Sequence, residues 1–147
     1  KTDYYISHEY NRRYLNIFYD MVSPYMQDMC GLLKHQDWEI HNAWFQQYDN
    51  DHYHGWHNHP GTNWTNVYFL DLPDTGLVTS LFNVINNKLV DTVEIKEGDI
   101  LTIPAYFLHK SKKNETNERK TIISFNSSFK NNDENEIENL IRNKNND

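Results

Sequence analysis

Histidine is concentrated in one short stretch of this chain. Four of the eight histidines lie between His52 and His59, in the run HYHGWHNH. Side chains on a β-strand alternate between its two faces, so on a strand His57 and His59 would point the same way, about 7 Å apart. Two neutral imidazoles on one face can bind a transition-metal ion from one side. The pair therefore predicts half of a metal site, with a polar loop facing solvent as the alternative.

A fifth histidine, His109, is the candidate for the third metal ligand. It follows the run GDILTIP at 98–104, in which a glycine–aspartate turn leads into an apolar strand that ends at a proline. We predict that His57, His59 and His109 face one another across a small β-barrel and hold one metal ion. Three protein ligands leave positions open for water, substrate or O2, which is typical of reactive sites. Imidazole suits iron, zinc, copper and nickel, so the histidines alone do not select the metal.

Composition limits the classes of protein to consider. The 147 residues are 37% hydrophobic and 14% aromatic, which is enough for one domain with a core of its own. The net charge of −7 argues against a nucleic-acid partner. The single cysteine, Cys30, excludes an intrachain disulfide and fits a reducing compartment, with core packing as its expected role. No apolar run approaches the roughly 20 residues of a membrane span, so we expect a cytoplasmic protein without a membrane partner.

Helical periodicity is confined to the first part of the chain, at about 9–34. Apolar residues recur there at helical spacing and predict a buried face, whose members are Tyr10, Tyr14, Ile17, Met21, Met29 and Leu32. Ser23 and Pro24 interrupt the run, because serine caps helices and proline favours a first turn. We therefore predict two helices, or one kinked helix, covering the outside of a sheet.

Short strands separated by turns fill the rest of the chain. The predicted strands lie at 38–44, 53–59, 66–72, 77–85, 88–95, 100–103 and 119–125. This succession predicts a mainly β fold, a jelly roll or double-stranded β-helix with helical cover at its N-terminus. We predict one such domain over 1–130, followed at 131–147 by a polar tail or a short helix capped at Asp133.

Three motifs together resemble a known family. They are H-x-H-P at 57–60, P-x4-H at 104–109 and R-x4-S-F-N at 119–126, and they are accompanied by Trp44 and the strand at 66–70. In combination they are similar to a small family of 2-oxoglutarate- and Fe(II)-dependent oxygenases, found in marine bacteria and in phages of cyanobacteria. The resemblance covers about residues 42–128 and implies a double-stranded β-helix fold.

The resemblance also implies an activity and a set of binding residues. Such an enzyme hydroxylates a small-molecule or protein substrate with O2 while it converts 2-oxoglutarate to succinate and CO2. A phage-encoded member would act in the host cytoplasm. By this resemblance His57 and His109 bind the Fe(II) ion, His59 takes the position two residues after the first ligand, and Arg119 binds the distal carboxylate of 2-oxoglutarate. Further candidates for the 2-oxoglutarate site are Tyr68, Asn66 and Thr121, although a solvated strand start for Arg119 and core packing for Tyr68 are the plain alternatives.

Two other functions fit the same residues. Iron sites of the wider superfamily usually combine two histidines with a carboxylate, and here His59 takes the carboxylate position, with Asp71 and Asp74 lying further along the chain. The chain therefore also fits a cupin-like three-histidine metalloenzyme that uses no 2-oxoglutarate, although 60–66 lacks the usual cupin glutamate. A non-catalytic protein that binds a sugar or peptide is the third candidate, since Trp56, Asn63, Trp64 and Tyr106 suit such a groove.

Overall fold

The computed structural model describes residues 1–7, 10–91, 94–130 and 142. These residues contain helix α1 (Arg13–Leu32), a 3-10 turn (Thr75–Leu77) and eight strands. The strands are β1 (Asp37–Tyr48), β2 (His54–His57), β3 (Trp64–Asp71), β4 (Ser80–Asn83), β5 (Lys88–Val90), β6 (Ile100–Pro104), β7 (Leu108–Ser111) and β8 (Lys120–Lys130). The predicted helix after Asp133 lies outside the described residues.

The strands form two antiparallel sheets of four strands each. The first has the order β1-β8-β3-β6 and the second has the order β2-β7-β4-β5. Antiparallel pairing joins β3 to both β6 and β8, and β7 to both β2 and β4. The prediction of a mainly β fold is therefore confirmed, in an arrangement consistent with a β-sandwich.

The chain divides into two compact units. The first comprises 1–11 and 40–127, and the second comprises 12–39 and 128–147. The first unit contains a buried apolar cluster built around Val67, Phe69 and Ile122, to which Tyr48 and Leu77 also belong. It also contains the three histidines proposed as metal ligands and the four residues proposed to bind 2-oxoglutarate.

Helix α1 belongs to the second unit. It is one helix and not the two of the first predicted alternative, and its buried face differs from the predicted one. It runs without a break through Pro24, while Ser23 donates its hydroxyl proton to the Tyr19 carbonyl. Its buried residues are Phe18, Val22, Met26 and Cys30, so core packing of Cys30 is confirmed. Four members of the predicted buried face are exposed, namely Tyr10, Ile17, Met21 and Leu32. The buried face had therefore been placed one position too early, because an alternative set of apolar residues has the same helical spacing.

Most of the predicted strands are present in the structure. Strands β1, β3, β6 and β8 lie over predicted ones, and β4 and β5 pair across the expected turn, with Asn87 at a φ of 54°. The predicted strand at 77–85 shortens to β4, because the 3-10 turn occupies its start. The one at 88–95 is described as a strand only as far as Val90, and 92–93 lie outside the described residues. No helix among the described residues is long and apolar enough to cross a membrane.

Candidate metal centre and its cavity

The three predicted metal ligands meet in the structure. His57 is the last residue of β2, and its Cα atom pairs with that of His109 on the neighbouring strand β7. His59 follows in the loop after β2, where its backbone N–H donates to the Ala105 carbonyl at 3.4 Å. One ligand atom from each imidazole lies within 4.8 Å of those of the other two. The three side chains converge, although His59 reaches the cluster from a loop and not from the strand that carries His57.

The hydrogen bonds of the three rings leave one nitrogen of each available. The Nδ1 atom of His57 lies 2.8 Å from the Gly55 carbonyl oxygen, and that of His109 lies 3.3 Å from the Phe107 carbonyl oxygen. A carbonyl oxygen only accepts hydrogen bonds, so each Nδ1 must carry the proton and donate it. The Nε2 atom of each neutral ring then keeps its lone pair, which is the form that binds a metal ion.

His59 is oriented by a side chain of the other sheet. Its Nδ1 atom lies 2.6 Å from Oδ1 of Asn126 on β8, and its ring packs against Trp44 with the ring centroids 5.6 Å apart. Histidine ligands of metal ions commonly donate their second N–H to such an oxygen, which fixes both tautomer and ring orientation. The donor set therefore fits a metal that accepts three imidazole nitrogens.

Burial favours the uncharged form of two of these imidazoles, His59 and His109. Desolvation, reinforced by the nearby His57 and His59, lowers the pKa of His109 to about 3. Burial also lowers the pKa of His59, partly opposed by its hydrogen bond to Asn126. A neutral imidazole has its lone pair available, so at neutral pH neither ring has to lose a proton before it binds a metal ion.

A fourth histidine lies against the cluster. The ring of His54 stacks on that of His57, with centroids 3.9 Å apart and planes 18° apart. Burial, with contributions from His57 and His59, lowers the pKa of His54 as well. Its position in the histidine-rich run was the only sequence signal for it, and its spacing of three from His57 gave no reason to expect a contact along a regular strand. The irregular register of β2 between His54 and His57 accounts for that contact.

The histidine cluster lies in a cavity of about 560 Å3 within the first unit. The second sheet contributes His54, His57, His109 and Ser111, and the loop after β2 contributes His59. The first sheet contributes residues from β1, β3 and β8. The N-terminal segment closes part of its mouth with Tyr4 and Tyr5. A volume of this size is typical of small-molecule sites, which span about 300–1,000 Å3.

A buried lysine, Lys120, lies at the side of this cavity. Its Nζ atom donates hydrogen bonds to the Leu77 carbonyl and, at 3.0 Å, to Oγ of Ser111. It also lies 5.2 Å from the ring centroid of Tyr48, which like Ser111 lines the cavity. Only 1% of Lys120 is exposed, and this burial lowers the pKa of its amine to about 8. The amine is therefore mostly protonated at neutral pH.

Strand alternation explains why Lys120 faces inward and Arg119 does not. Ile122, Ser124 and Asn126 line the cavity, so the even-numbered residues of β8 share its inner face. Lys120 has the same parity. Arg119 precedes the strand, is exposed and does not line the cavity. The geometry thus provides a basic side chain beside the cavity one position later than the sequence motif suggested.

The same alternation places the remaining co-substrate candidates away from the cavity. On β3, Val67 lines the cavity, and its even-numbered neighbours Asn66 and Tyr68 face the other way. Asn66 is fully buried there, where its amide donates to Ser127 Oγ and accepts from the Thr102 hydroxyl. Thr121 is buried at an odd-numbered position of β8, so it also faces away from the cavity. None of the three is placed to contact a ligand in this cavity.

The carboxylates considered from the sequence do not join the cluster. The group formed by the three histidines contains no aspartate or glutamate of the described part of the chain. Asp71 ends β3, and Asp74 accepts a hydrogen bond from the Gly76 backbone N–H in the following turn. His59 therefore remains the third candidate ligand, because no described carboxylate takes its place.

The aromatic residues predicted near the site lie around a different opening. Trp64 and Tyr106 line an open groove of about 670 Å3, which shares Asn58, His59 and Pro60 with the cavity. Trp56 is partly exposed, with the amine of Lys110 4.8 Å from its ring centroid, and does not line the cavity.

Comparison with known proteins adds no family assignment. No protein-family model matches the chain, and no curated protein matches it.

Proposed function

We propose that this protein is an Fe(II)- and 2-oxoglutarate-dependent oxygenase with a double-stranded β-helix fold. One observation carries the proposal: a cluster of three histidines and a buried lysine flank the same cavity. The histidines suit a ferrous ion, and the lysine suits the distal carboxylate of a dicarboxylic acid. The resemblance of the three sequence motifs to this family supports the same assignment.

Strand β7 relates the two parts of the proposed site. His109 and Ser111 lie two residues apart on it, so their side chains share a face about 7 Å apart. Both residues line the cavity, and Ser111 accepts a hydrogen bond from Lys120. The five-carbon chain of 2-oxoglutarate is of comparable length, so one end can lie at the histidines while the other lies at Ser111 and Lys120.

The surroundings of Lys120 favour a bound carboxylate. Its present partners, the Leu77 carbonyl and the Ser111 hydroxyl, are both neutral. A buried ammonium gains most from a charged acceptor, because charge-assisted hydrogen bonds are about twice as strong as neutral ones. Tyr48, which exchanges a hydrogen bond with Ser111, adds a second hydroxyl at this end. We therefore assign the anchoring role to Lys120 in place of Arg119.

The fold supports the proposal at the level of topology. Strands β1, β2 and β3 alternate between the two sheets, and so do β6, β7 and β8. Such alternation between facing antiparallel sheets is typical of jelly rolls. It brings β2 next to β7, and thereby His57 next to His109.

The remaining roles follow from the donor set. His57, His59 and His109 would hold the ferrous ion through their Nε2 atoms, and Asn126 would keep the His59 ring in place. Bound iron supplies the oxidation chemistry that hydroxylates a second substrate at the expense of 2-oxoglutarate and O2. The chain itself binds and orients the co-substrate and shields the site from water.

The test is an anaerobic titration of the protein with Fe(II) and then with 2-oxoglutarate, followed by visible absorption. A weak charge-transfer band that needs both additions is expected, because it reports chelation of 2-oxoglutarate at the iron. In Lys120→Met the band should require at least about tenfold more 2-oxoglutarate, since a charged hydrogen bond contributes about 1.5–3 kcal/mol. Arg119→Met is the matched control and should titrate as the parent does. Loss of 2-oxoglutarate binding in Arg119→Met alone would contradict the assignment of Lys120.

A second function is favoured by the all-histidine donor set. The cluster contains no described carboxylate, as in three-histidine cupins, and Lys120 already has two hydrogen-bond partners without a ligand. A metalloenzyme of this kind would act on its substrate without 2-oxoglutarate. Iron binding without the charge-transfer band, in the parent and in Lys120→Met alike, would favour it over the oxygenase.

A further inference from the structure

The N-terminal segment forms part of the cavity wall. The backbone nitrogen and carbonyl of Lys1 both bond to the backbone of Gln47, and the Thr2 hydroxyl donates to the Phe45 carbonyl. The Asp3 carboxylate accepts from the Phe45 backbone N–H at 2.9 Å. These contacts hold the segment along β1, so that Tyr4 and Tyr5 line the cavity mouth.

Aromatic rings lead from this mouth to the histidines. Tyr5 is 88% exposed and packs edge-on against Tyr4, with the centroids 5.1 Å apart. Tyr4 packs edge-on against Trp44, which in turn contacts His59. A ligand that enters here meets ring surface before it reaches the histidine cluster.

Side-chain amides flank these rings on β1. Asn42, Trp44 and Gln46 alternate along the strand and line the cavity together. Among the described residues, the buried Oδ1 atom of Asn42 has no hydrogen-bond partner. An unsatisfied buried acceptor costs about 1–3 kcal/mol, which a ligand that donates a proton there would offset. We call Tyr4, Tyr5, Asn42, Trp44 and Gln46 the outer subsite.

The lining of the cavity is uncharged. It contains no aspartate, glutamate, lysine or arginine of the described chain, and Lys120 contacts the lining residues Ser111 and Tyr48, at the end of the cavity away from the outer subsite, without itself lining the cavity. A charged group that enters the outer subsite would lose hydration without gaining a counter-charge, so the subsite disfavours ions. Aromatic rings with amides that both donate and accept suit a ligand with apolar ring faces and several hydroxyl groups.

We propose that the outer subsite binds an uncharged sugar ring, which is the part of the second substrate presented to the metal centre. The role as second substrate rests on the proposed oxygenase function, whereas the binding itself does not. The ring lies against Tyr4 and Tyr5, and rotation of the Asn42 side chain brings its Oδ1, which is covered in the free protein, to a hydroxyl proton of the sugar. A peptide is the weaker fit, because the single backbone bridge from the N-terminal segment, Thr2 to Gln46, already uses part of the β1 edge along which a peptide would pair.

Binding is tested with three sugars that share one ring and differ in charge: N-acetylglucosamine, glucosamine and glucuronate. Saturation-transfer difference NMR on the full chain without added metal detects weak binding, needs neither iron nor turnover, and prevents the carboxylate of glucuronate from binding a metal ion. Neutral N-acetylglucosamine should bind, and the cationic and anionic sugars should bind at least about tenfold more weakly. A blocked neutral dipeptide amide, N-acetyl-Ala-Ala-amide, is the comparison ligand for the peptide alternative. Equal or stronger binding of either charged sugar or of the dipeptide, or no transfer to any sugar, would overturn the proposal.

Variants locate the binding. Tyr4→Ala and Asn42→Leu should each weaken N-acetylglucosamine binding about tenfold, whereas Tyr53→Ala, which removes an exposed tyrosine outside the cavity, should not. Asn42→Asp keeps an acceptor of the same shape and adds a negative charge, so it should admit cationic glucosamine. An unchanged preference in Asn42→Asp would show that the sugar binds elsewhere and would overturn the proposal. A charge-transfer band without sugar binding would leave the oxygenase function standing and remove only this inference.

Discussion

The Nζ atom of Lys120 donates a 3.0 Å hydrogen bond to Oγ of Ser111, two residues after the candidate metal ligand His109 on the same strand. This contact joins the candidate metal centre to the only buried lysine of the described chain. The protonation state of the Lys120 amine therefore decides whether a positive charge lies beside the cavity. Two of the predictions below follow from that amine, and two follow from the histidines.

The affinity for 2-oxoglutarate should fall as pH rises through about 8. Burial lowers the pKa of Lys120 to about 8, so above that pH the free protein loses the charge that attracts the distal carboxylate. The loss should reach about tenfold per pH unit. Calorimetric titration of the Zn(II)-loaded protein between pH 6.5 and 9.5 would measure it, where these limits bracket a pKa of about 8. Lys120→Arg stays charged over this range and should show a flat profile; a parallel decline in both proteins would contradict the role of Lys120.

The free energy of unfolding should also depend on Lys120. Below about pH 8 the amine is protonated in the folded and unfolded chains alike, and the folded chain bears the cost of burying a charge. Between about 8 and the ordinary value of 10.5 only the unfolded chain holds the proton, so stability should rise with pH, by up to about 3 kcal/mol. Urea titrations of the parent and Lys120→Met at several pH values would show this rise in the parent only. The same slope in both proteins would mean that another group is responsible.

Metal binding should stabilise the protein through the three histidines. An ion that binds only the folded chain adds about 2.7 kcal/mol when its concentration is 100 times its dissociation constant. His109→Ala should abolish this gain, measured as the shift in melting temperature on addition of Zn(II) or of Fe(II) without oxygen. His52→Ala is the control, because His52 lies in the same histidine-rich run but outside the cluster. Equal shifts in both variants would place the metal elsewhere.

Asn126 should control metal affinity without binding the metal. Its Oδ1 atom accepts the Nδ1 proton of His59 at 2.6 Å, and so leaves Nε2 of that ring unprotonated. Asn126→Ala should therefore weaken Zn(II) binding about 10–100-fold, as loss of such partners does in other metal sites. Competition against a coloured chelator measures this, with the exposed Asn63→Ala as control. Unchanged affinity would show that the orientation of His59 does not depend on Asn126.

The convergence of His57, His59 and His109 was predictable from the sequence, but the side of the sheet on which several other residues lie was not. Two ligands with one residue between them and a third after an apolar strand are strong local signals, and the structure brings all three together. Lys120 is the inward residue and Arg119 is exposed, because neighbouring positions along a strand face opposite sides. The sequence alone does not show which residues of β8 face the cavity. This follows from the pairing of β8 with β3, in which Ser124 lies opposite Val67.

Residues that act through tertiary contacts were missed for a related reason. Asn126 stood in a sequence motif but had no assigned role, since its contact with His59 joins residues that are far apart in the chain. Tyr4 gave no signal at all, because nothing in 1–7 shows that the segment pairs with β1. The irregular part of β2 that stacks His54 on His57 is likewise a product of pairing and not of local sequence.

Strand β7 carries a histidine of the metal cluster and the serine that contacts Lys120, with one residue between them. The rise of a strand is nearly invariant, so the separation of the two Cα atoms is fixed. If 2-oxoglutarate binds as proposed, the cavity should therefore select dicarboxylic acids by length. Oxaloacetate, one carbon shorter than 2-oxoglutarate, would leave one end unbound, and 2-oxoadipate, one carbon longer, would have to buckle between fixed ends. The four-residue strand β7 would then determine which dicarboxylic acid of the cell this protein binds.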